Sequence, residues 1–221
     1  IMKIGIIGNG FVGSSVAFGF SAQTGCDADV KIYDKDESKS THTLPQVLTS
    51  DFIFISVPTP SNEDGSINLD ILNSLFDEIN YTNGYNRDNI FLVRSTVTPG
   101  TTRKIQQYYK HLNIVFNPEF LTERSAKFDF INQSRFILGG EEENVNKVAE
   151  LYRWRFGETT PMIKTNFETA EMIKYMNNCF FATKVSFMNE MKLVADKCKV
   201  DWDVAVEGFV RDGRVGHSHL A

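Results

Sequence analysis

The stretch Ile4-Gly5-Ile6-Ile7-Gly8-Asn9-Gly10-Phe11-Val12-Gly13 decides the fold. A short apolar run that ends in G-x-G-x-x-G and passes directly into helix-period sequence reads as the strand, turn and helix of a dinucleotide-binding unit. Gly8, Gly10 and Gly13 permit a tight turn and close backbone approach. The helix N-terminus is then free to hold a pyrophosphate, with Phe11 and Val12 counted among its contacts. Asp34 ends the second apolar run, 21 residues after Gly13, where such a unit places a carboxylate for the ribose 2'-hydroxyl. A carboxylate there repels a 2'-phosphate, so NAD is expected rather than NADP. Lys39, five residues further on, is a candidate for the adenosine end and reads equally well as a solvated surface lysine.

Outward from this motif, short apolar runs alternate with helix-period segments as far as residue 164. Strands are expected at Lys3 to Ile7, Val30 to Tyr33, Phe52 to Ser56, Ile90 to Arg94, Ile114 to Asn117, Phe136 to Gly139 and Pro161 to Lys164. Leu72, Leu75, Phe76 and Ile79 keep the spacing of one helix face, as do Ile105, Tyr108, Tyr109 and Leu112, and Val145, Val148, Ala149 and Tyr152. The expected fold is therefore α/β, a Rossmann-type doubly wound parallel sheet, with the NAD-binding domain over residues 1–164. Val57-Pro58-Thr59-Pro60 falls at the carboxyl end of the third strand, where such sheets bind ligands, so Val57, Pro58 and Thr59 are cofactor candidates.

From Thr165 the pattern becomes one long helical stretch without Gly or Pro until Gly208. Thr165 and Glu168 read as a capping box. Met172, Ile173, Met176, Phe180, Phe181, Phe187, Met188, Met191 and Val194 spread around much of the helix, which is expected to be buried between domains or in a subunit interface, with a homodimer the expected assembly. Residues 165–221 thus form a second, helical region.

Composition excludes several classes. In 221 residues, 42% hydrophobic and 23% charged, the chain has enough apolar sequence for a sizeable core. A net charge of -5 argues against nucleic acid and anionic membrane as partners. Asn9 and the glycines interrupt the apolar N-terminus, so a secretory signal is not expected, and no run reaches the length of a membrane span. Three widely spaced cysteines, Cys26, Cys179 and Cys198, form no metal-binding pair, so no metal is expected and a reducing cytoplasmic setting fits.

Together with the glycine motif, four further stretches resemble the UDP-glucose/GDP-mannose dehydrogenase family. These are Val57-Pro58-Thr59-Pro60, Arg94-Ser95-Thr96-Val97-Thr98-Pro99-Gly100-Thr101-Thr102, Asn117-Pro118-Glu119-Phe120-Leu121, and Glu171 to Tyr175 running on through Asn178 to Glu190. Asp212-Gly213-Arg214-Val215-Gly216 is similar to a family motif near the same place. The resemblance implies oxidation of the C6 alcohol of a UDP- or GDP-linked sugar to a carboxylate, with two NAD per turnover and a cysteine-bound thioester. It implies that Lys174 supports an oxyanion with help from Asn178, that Glu123 together with Thr96 serves proton transfer and water positioning, and that Glu119 is a catalytic carboxylate near the same site. Ser95 and Thr96 are implied on the cofactor, and Glu119, Phe120, Leu121, Lys174, Asn178 and Arg214 on the substrate, Arg214 across a dimer interface.

Departures from the family set expectations of their own. The family's nucleophilic cysteine belongs just beyond Leu220, so this chain is expected to be an N-terminal and central part that stops before the nucleotide-binding domain and is inactive alone. Ile1 before Met2 hints at a numbering that starts upstream of the natural initiator. Only 24 residues separate Asp34 from Thr59, fewer than the family usually has, and Arg124 replaces a small residue after Glu123. Two alternatives stand beside this reading: a non-catalytic NAD-binding or dimerisation module, and a 3-hydroxyacid or 6-phosphogluconate type dehydrogenase.

Overall fold

Alternation along each apolar run sorts side chains onto two faces of a sheet. The computed structural model describes residues 1–84 and 86–220. It contains seven strands: β1 (Met2–Ile7), β2 (Ala28–Tyr33), β3 (Phe52–Ile55), β4 (Ile90–Val93), β5 (Asn113–Phe116), β6 (Phe136–Gly140) and β7 (Met162–Thr165). They form one sheet in the order β2-β1-β3-β4-β5-β6-β7. All pairs are parallel except β5 with β6, which is antiparallel. The strands leave β1 in opposite directions, to β2 on one side and β3 on the other, so the sheet has its topological switch point between β1 and β3.

Eight α-helices occur among the described residues: α1 (Phe11–Gly19), α2 (Leu44–Val47), α3 (Asp70–Tyr81), α4 (Thr101–Tyr108), α5 (Ala126–Ile131), α6 (Glu142–Phe156), α7 (Phe167–Lys197) and α8 (Trp202–Val210). Ile53, Ile55, Phe91, Val93, Ile114 and Phe116 share one core with α2, α3, α4 and the start of α7. Ile4, Ile6, Phe54, Leu92, Val115 and Leu138 share the other with α1, α5 and α6. A helical layer on each face leaves the carboxyl ends of the strands as the place for a site.

Two sequence expectations need correction in detail. The spacing of Ile105, Tyr108, Tyr109 and Leu112 overreads α4, which ends at Tyr108; Tyr108 is exposed, while Leu112 reaches the core from the chain beyond the helix. Thr165 ends β7 rather than capping a helix. The cap of α7 is Asn166, whose Oδ1 accepts from Thr169 N at 2.8 Å, and Glu168 pairs instead with Arg103.

The connection from β2 to β3 is short. One 3-10 turn at Glu37–Lys39 and the single-turn α2, closed by a Thr43/Gln46 capping box, span it. Thr41 occupies the open edge of β2: Thr41 N and His42 N both donate to Ile32 O at 2.9 Å, and Ile32 N donates to Thr41 Oγ1 at 3.0 Å. The segment thus covers a sheet edge that would otherwise stand unpaired.

Residues Ile1–Lys174 form one compact unit and Tyr175–Ala221 a second. In the second unit the long helical stretch is two helices, broken at Lys199 with φ 53°, and Asp201 caps α8 by accepting from Val204 N at 3.2 Å. Phe181 stacks on the His219 ring with centroids 4.1 Å apart. The expectation of a helix buried on most sides does not hold for this chain by itself, because Met176, Phe180, Phe187, Met191 and Val194 are exposed. Cys179 and Cys198, on the same helical stretch, are also exposed.

Candidate functional site

At the carboxyl end of β1 the chain must turn sharply and still let α1 pack close. Gly8 does the first with φ 91°, and a Cβ there would lie 2.7 Å from Ser56 O. Gly13 does the second, since a Cβ would fall 1.8 Å from Gly8 O. A side chain at either position would push the turn and the helix apart.

The carboxyl ends of five neighbouring strands line one cleft of about 480 Å³. Following the sheet order, β2 contributes Asp34 and Lys39, β1 contributes Gly8, Gly10, Phe11 and Val12, and β3 contributes Ser56 to Thr59. Next, β4 contributes Arg94, Ser95 and Thr96, and β5 contributes Glu119. Twelve of the sequence candidates therefore converge: Gly8, Gly10, Phe11, Val12, Asp34, Lys39, Val57, Pro58, Thr59, Ser95, Thr96 and Glu119. Gly13 supports the cleft from behind. Glu123 lies on a 3-10 turn, Glu123–Ser125, with its side chain exposed and outside this lining.

The helix end that faces the cleft is open. No side chain caps α1 and no acidic residue stands in its first turn, so its leading N–H groups and the positive end of its dipole are free for an anion. Asp34 is held ready: its Oδ2 accepts from Asn9 N at 2.7 Å and its Oδ1 from Asp36 N at 2.8 Å. An open helix N-terminus beside an oriented carboxylate, with the glycine turn between them, fits the pyrophosphate and ribose of a dinucleotide.

Further along, the loops after β3 and β4 are tied to each other. Ser95 Oγ donates to Val57 O at 2.5 Å, and Thr59 Oγ1 donates to Thr96 O at 2.8 Å. Glu119 follows β5, and its Oε2 accepts from Leu121 N at 2.7 Å. Lys174, on the first turns of α7, donates to Glu119 O and stands 3.2 Å from Glu119 Oε1. Phe120 lies under the ammonium, 5.2 Å from ring centroid to Nζ. Burial holds the Lys174 pKa below the ordinary lysine range, while the Glu119 carboxylate opposes that shift. Leu121 packs against the second core and carries no polar contact beyond its backbone.

Asn178 and Arg214 belong to the second unit. Asn178 is exposed on α7, and Arg214 pairs with its own neighbour Asp212 at 2.6 Å.

Three residues escaped the sequence reading. Ser56 lines the cleft with its Oγ buried and unpartnered. Arg94 lines it as well, although only 1% exposed. Glu171 is fully buried, accepting from Gly100 N at 3.0 Å and from Thr102 N and Oγ1 at 3.1 Å, so that α7 is fastened to the N-terminus of α4.

Two family models match the chain. Residues 38–155 match the UDP-glucose/GDP-mannose dehydrogenase family NAD binding domain, and residues 168–221 match the central domain of the same family. An uncharacterized protein of Methanocaldococcus jannaschii is 35% identical over 252 positions, covering 99% of this chain and 28% of that protein. Those 252 positions exceed the 221 residues of the chain, so the relative carries residues inside the matched span that have no counterpart here. UDP-glucose 6-dehydrogenase AglM of Haloferax volcanii is 29% identical, covering 99% of the chain and 60% of that enzyme. Among solved structures, a UDP-glucose dehydrogenase from Pyrobaculum islandicum superposes with a TM-score of 0.82 at 26% identity, covering 100% of this chain and 59% of that one. The chain thus spans about three fifths or less of the length of these three proteins.

Proposed function

Because the chain belongs to the UDP-glucose/GDP-mannose dehydrogenase family, whose cofactor is NAD, we propose that it carries the hydride-transfer half of a nucleotide-sugar 6-dehydrogenase. The observation that carries this reading is the single cleft along five strand ends, with Asp34 at one end and the Lys174-gripped Glu119 at the other. The α1 N-terminus and the glycine turn would hold the pyrophosphate, Asp34 the adenosine ribose, and Val57, Pro58, Thr59, Ser95 and Thr96 the nicotinamide end. Bound NAD supplies a two-electron hydride acceptor.

The substrate is the C6 alcohol of a UDP- or GDP-linked sugar. As its carbon gives up hydride, the hydroxyl oxygen gains negative charge and sheds its proton. The buried Lys174 ammonium stabilises that oxygen, where low dielectric makes one charge effective. Glu119 orients Lys174, and Glu119 with Thr96 positions the water that relays the proton. Glu123, Phe120 and Leu121 complete the substrate side in this reading.

No cysteine lines the cleft among the described residues, and Cys26, the one cysteine of the first unit, lies outside the lining. The thioester half of the reaction therefore needs a thiolate other than Cys26, and the proposal for this chain stops at the aldehyde. Functionally the chain divides into a cofactor domain over residues 1–164 and a central helical region over 165–221, which pairs two copies through the exposed apolar side of α7. No described helix is long and apolar enough to cross a membrane. A reducing cytoplasmic setting is proposed from the three free thiols.

The test is incubation of the chain with NAD and a panel of UDP- and GDP-hexoses, with products weighed by mass spectrometry. Saturable NADH binding and product no further than the aldehyde are expected. Uronic acid from the wild-type chain would contradict the thiolate assignment. NADH binding with no conversion of any sugar would favour a non-catalytic NAD-binding module.

A further inference from the structure

Arg94 is a buried charge that the reaction outlined above does not use. It directly follows β4, where its Nη1 donates to Asn117 Oδ1 at 2.6 Å and lies 3.4 Å from Tyr152 Oη. Its Nε and Nη2 are buried with no hydrogen-bond acceptor among the described residues. The guanidinium carbon instead sits 5.7 Å from the Phe54 ring centroid and 5.8 Å from that of Phe130. Aromatic faces soften the loss of water but do not cancel the charge.

No described carboxylate pairs with Arg94, and its two polar neighbours, Asn117 and Tyr152, are neutral. Burial pushes the Tyr152 hydroxyl up to about 12, so it holds its proton at neutral pH. The nearby acid and base of the cleft, Glu119 and Lys174, form a pair with no net charge. One positive charge is therefore left over behind the cleft wall, in an apolar setting where it acts over a longer range than it would in water. A buried, unpaired cation is costly. Its presence just after a strand that opens into the cleft calls for a role.

We propose that Arg94 tunes the cleft to bind the reduced cofactor more tightly than the oxidised one, and so favours transfer of hydride from substrate to cofactor. The nicotinamide ring is cationic when oxidised and neutral when reduced. A fixed cation nearby repels the first and leaves the second untouched. This inference rests on the placement of the nicotinamide end beside Ser95 and Thr96, the two residues that follow Arg94.

The test compares binding of NAD, NADH and ADP-ribose to the full chain as wild type, Arg94→Met and Arg94→Lys, with thermal melts to verify folding. The wild type should favour NADH over NAD by about tenfold or more, and Arg94→Lys, which keeps the charge, should retain that ratio. Arg94→Met should lower the ratio by about tenfold while leaving ADP-ribose binding unchanged. Should Arg94→Met not fold, Arg94→Gln, which keeps a donor for Asn117, takes its place. A folded neutral variant with the wild-type ratio overturns the proposal, as does a wild type without preference, loss of the ratio in Arg94→Lys, or equal weakening of all three ligands. Failure of the wild type to bind either NADH or ADP-ribose would remove the cofactor reading itself.

Discussion

Lys174 reads its surroundings through its proton. Because burial lowers its pKa and Glu119 only partly restores it, the ammonium should titrate below the ordinary lysine range. An NMR titration of the labelled lysine side chain should find its midpoint under 10.5, and Glu119→Gln should lower it further by removing the opposing charge. An unshifted midpoint, or a rise in the variant, would contradict the burial and pairing described for Lys174. Asp34 makes the second residue-scale prediction. Its carboxylate stands where a 2'-phosphate would have to lie, so Asp34→Ala should raise affinity for NADPH relative to NADH by about tenfold, measured by fluorescence titration. Equal effects on the two cofactors would place Asp34 elsewhere. The sequence showed Asp34 because motif spacing fixes it. It could not show Arg94 as part of the site, since a strand-end arginine reads the same whether it is buried or snorkels to water.

Among the elements, the junction of α7 with the sheet is the most informative. Glu171 supplies acceptors to two backbone N–H groups at the start of α4 from a position with no solvent exposure. Glu171→Ala would leave those groups unpaired, at a cost of about 2 kcal/mol and a melting-temperature loss of several degrees. Burial raises the Glu171 pKa above 4.5, so the folded chain holds this proton more tightly than the unfolded one. Its stabilising contribution is full below the ordinary carboxylate range and is lost as pH rises through the raised value. Melts across that window should therefore show wild-type stability falling with pH relative to Glu171→Gln, and parallel curves would contradict the shift. Element boundaries were legible where one rule governed them. The apolar runs Phe52 to Ser56 and Ile90 to Arg94 placed β3 and β4 to within one residue. The reading slipped where two rules competed: Leu112 keeps helical spacing yet reaches the core from a loop, and Asn166 outcompetes Thr165 as a cap.

For the whole molecule, the apolar side of α7 has a direct consequence. Phe180, Phe187 and Met191 are exposed on one chain, and a second copy is the proposed cover. Sedimentation at micromolar concentration should give a dimer, and Phe187→Asp should shift it toward monomer; a wild-type monomer would contradict the proposal. The cofactor half of the site was legible in the sequence because it is contiguous motif geometry. The substrate half was less so, because Glu119 and Lys174 meet only through folding, and because Glu123, Asn178 and Arg214 depend on surroundings that the motif does not specify. The central claim is that the cleft at the β1/β3 switch point binds NAD. Calorimetric titration of NADH into the chain tests it most directly, beside Gly13→Val, whose side chain would strike the Gly8 carbonyl. One saturable site in the wild type that is lost in the variant is the predicted result. No binding by the wild type, or equal binding by a folded Gly13→Val, would contradict it.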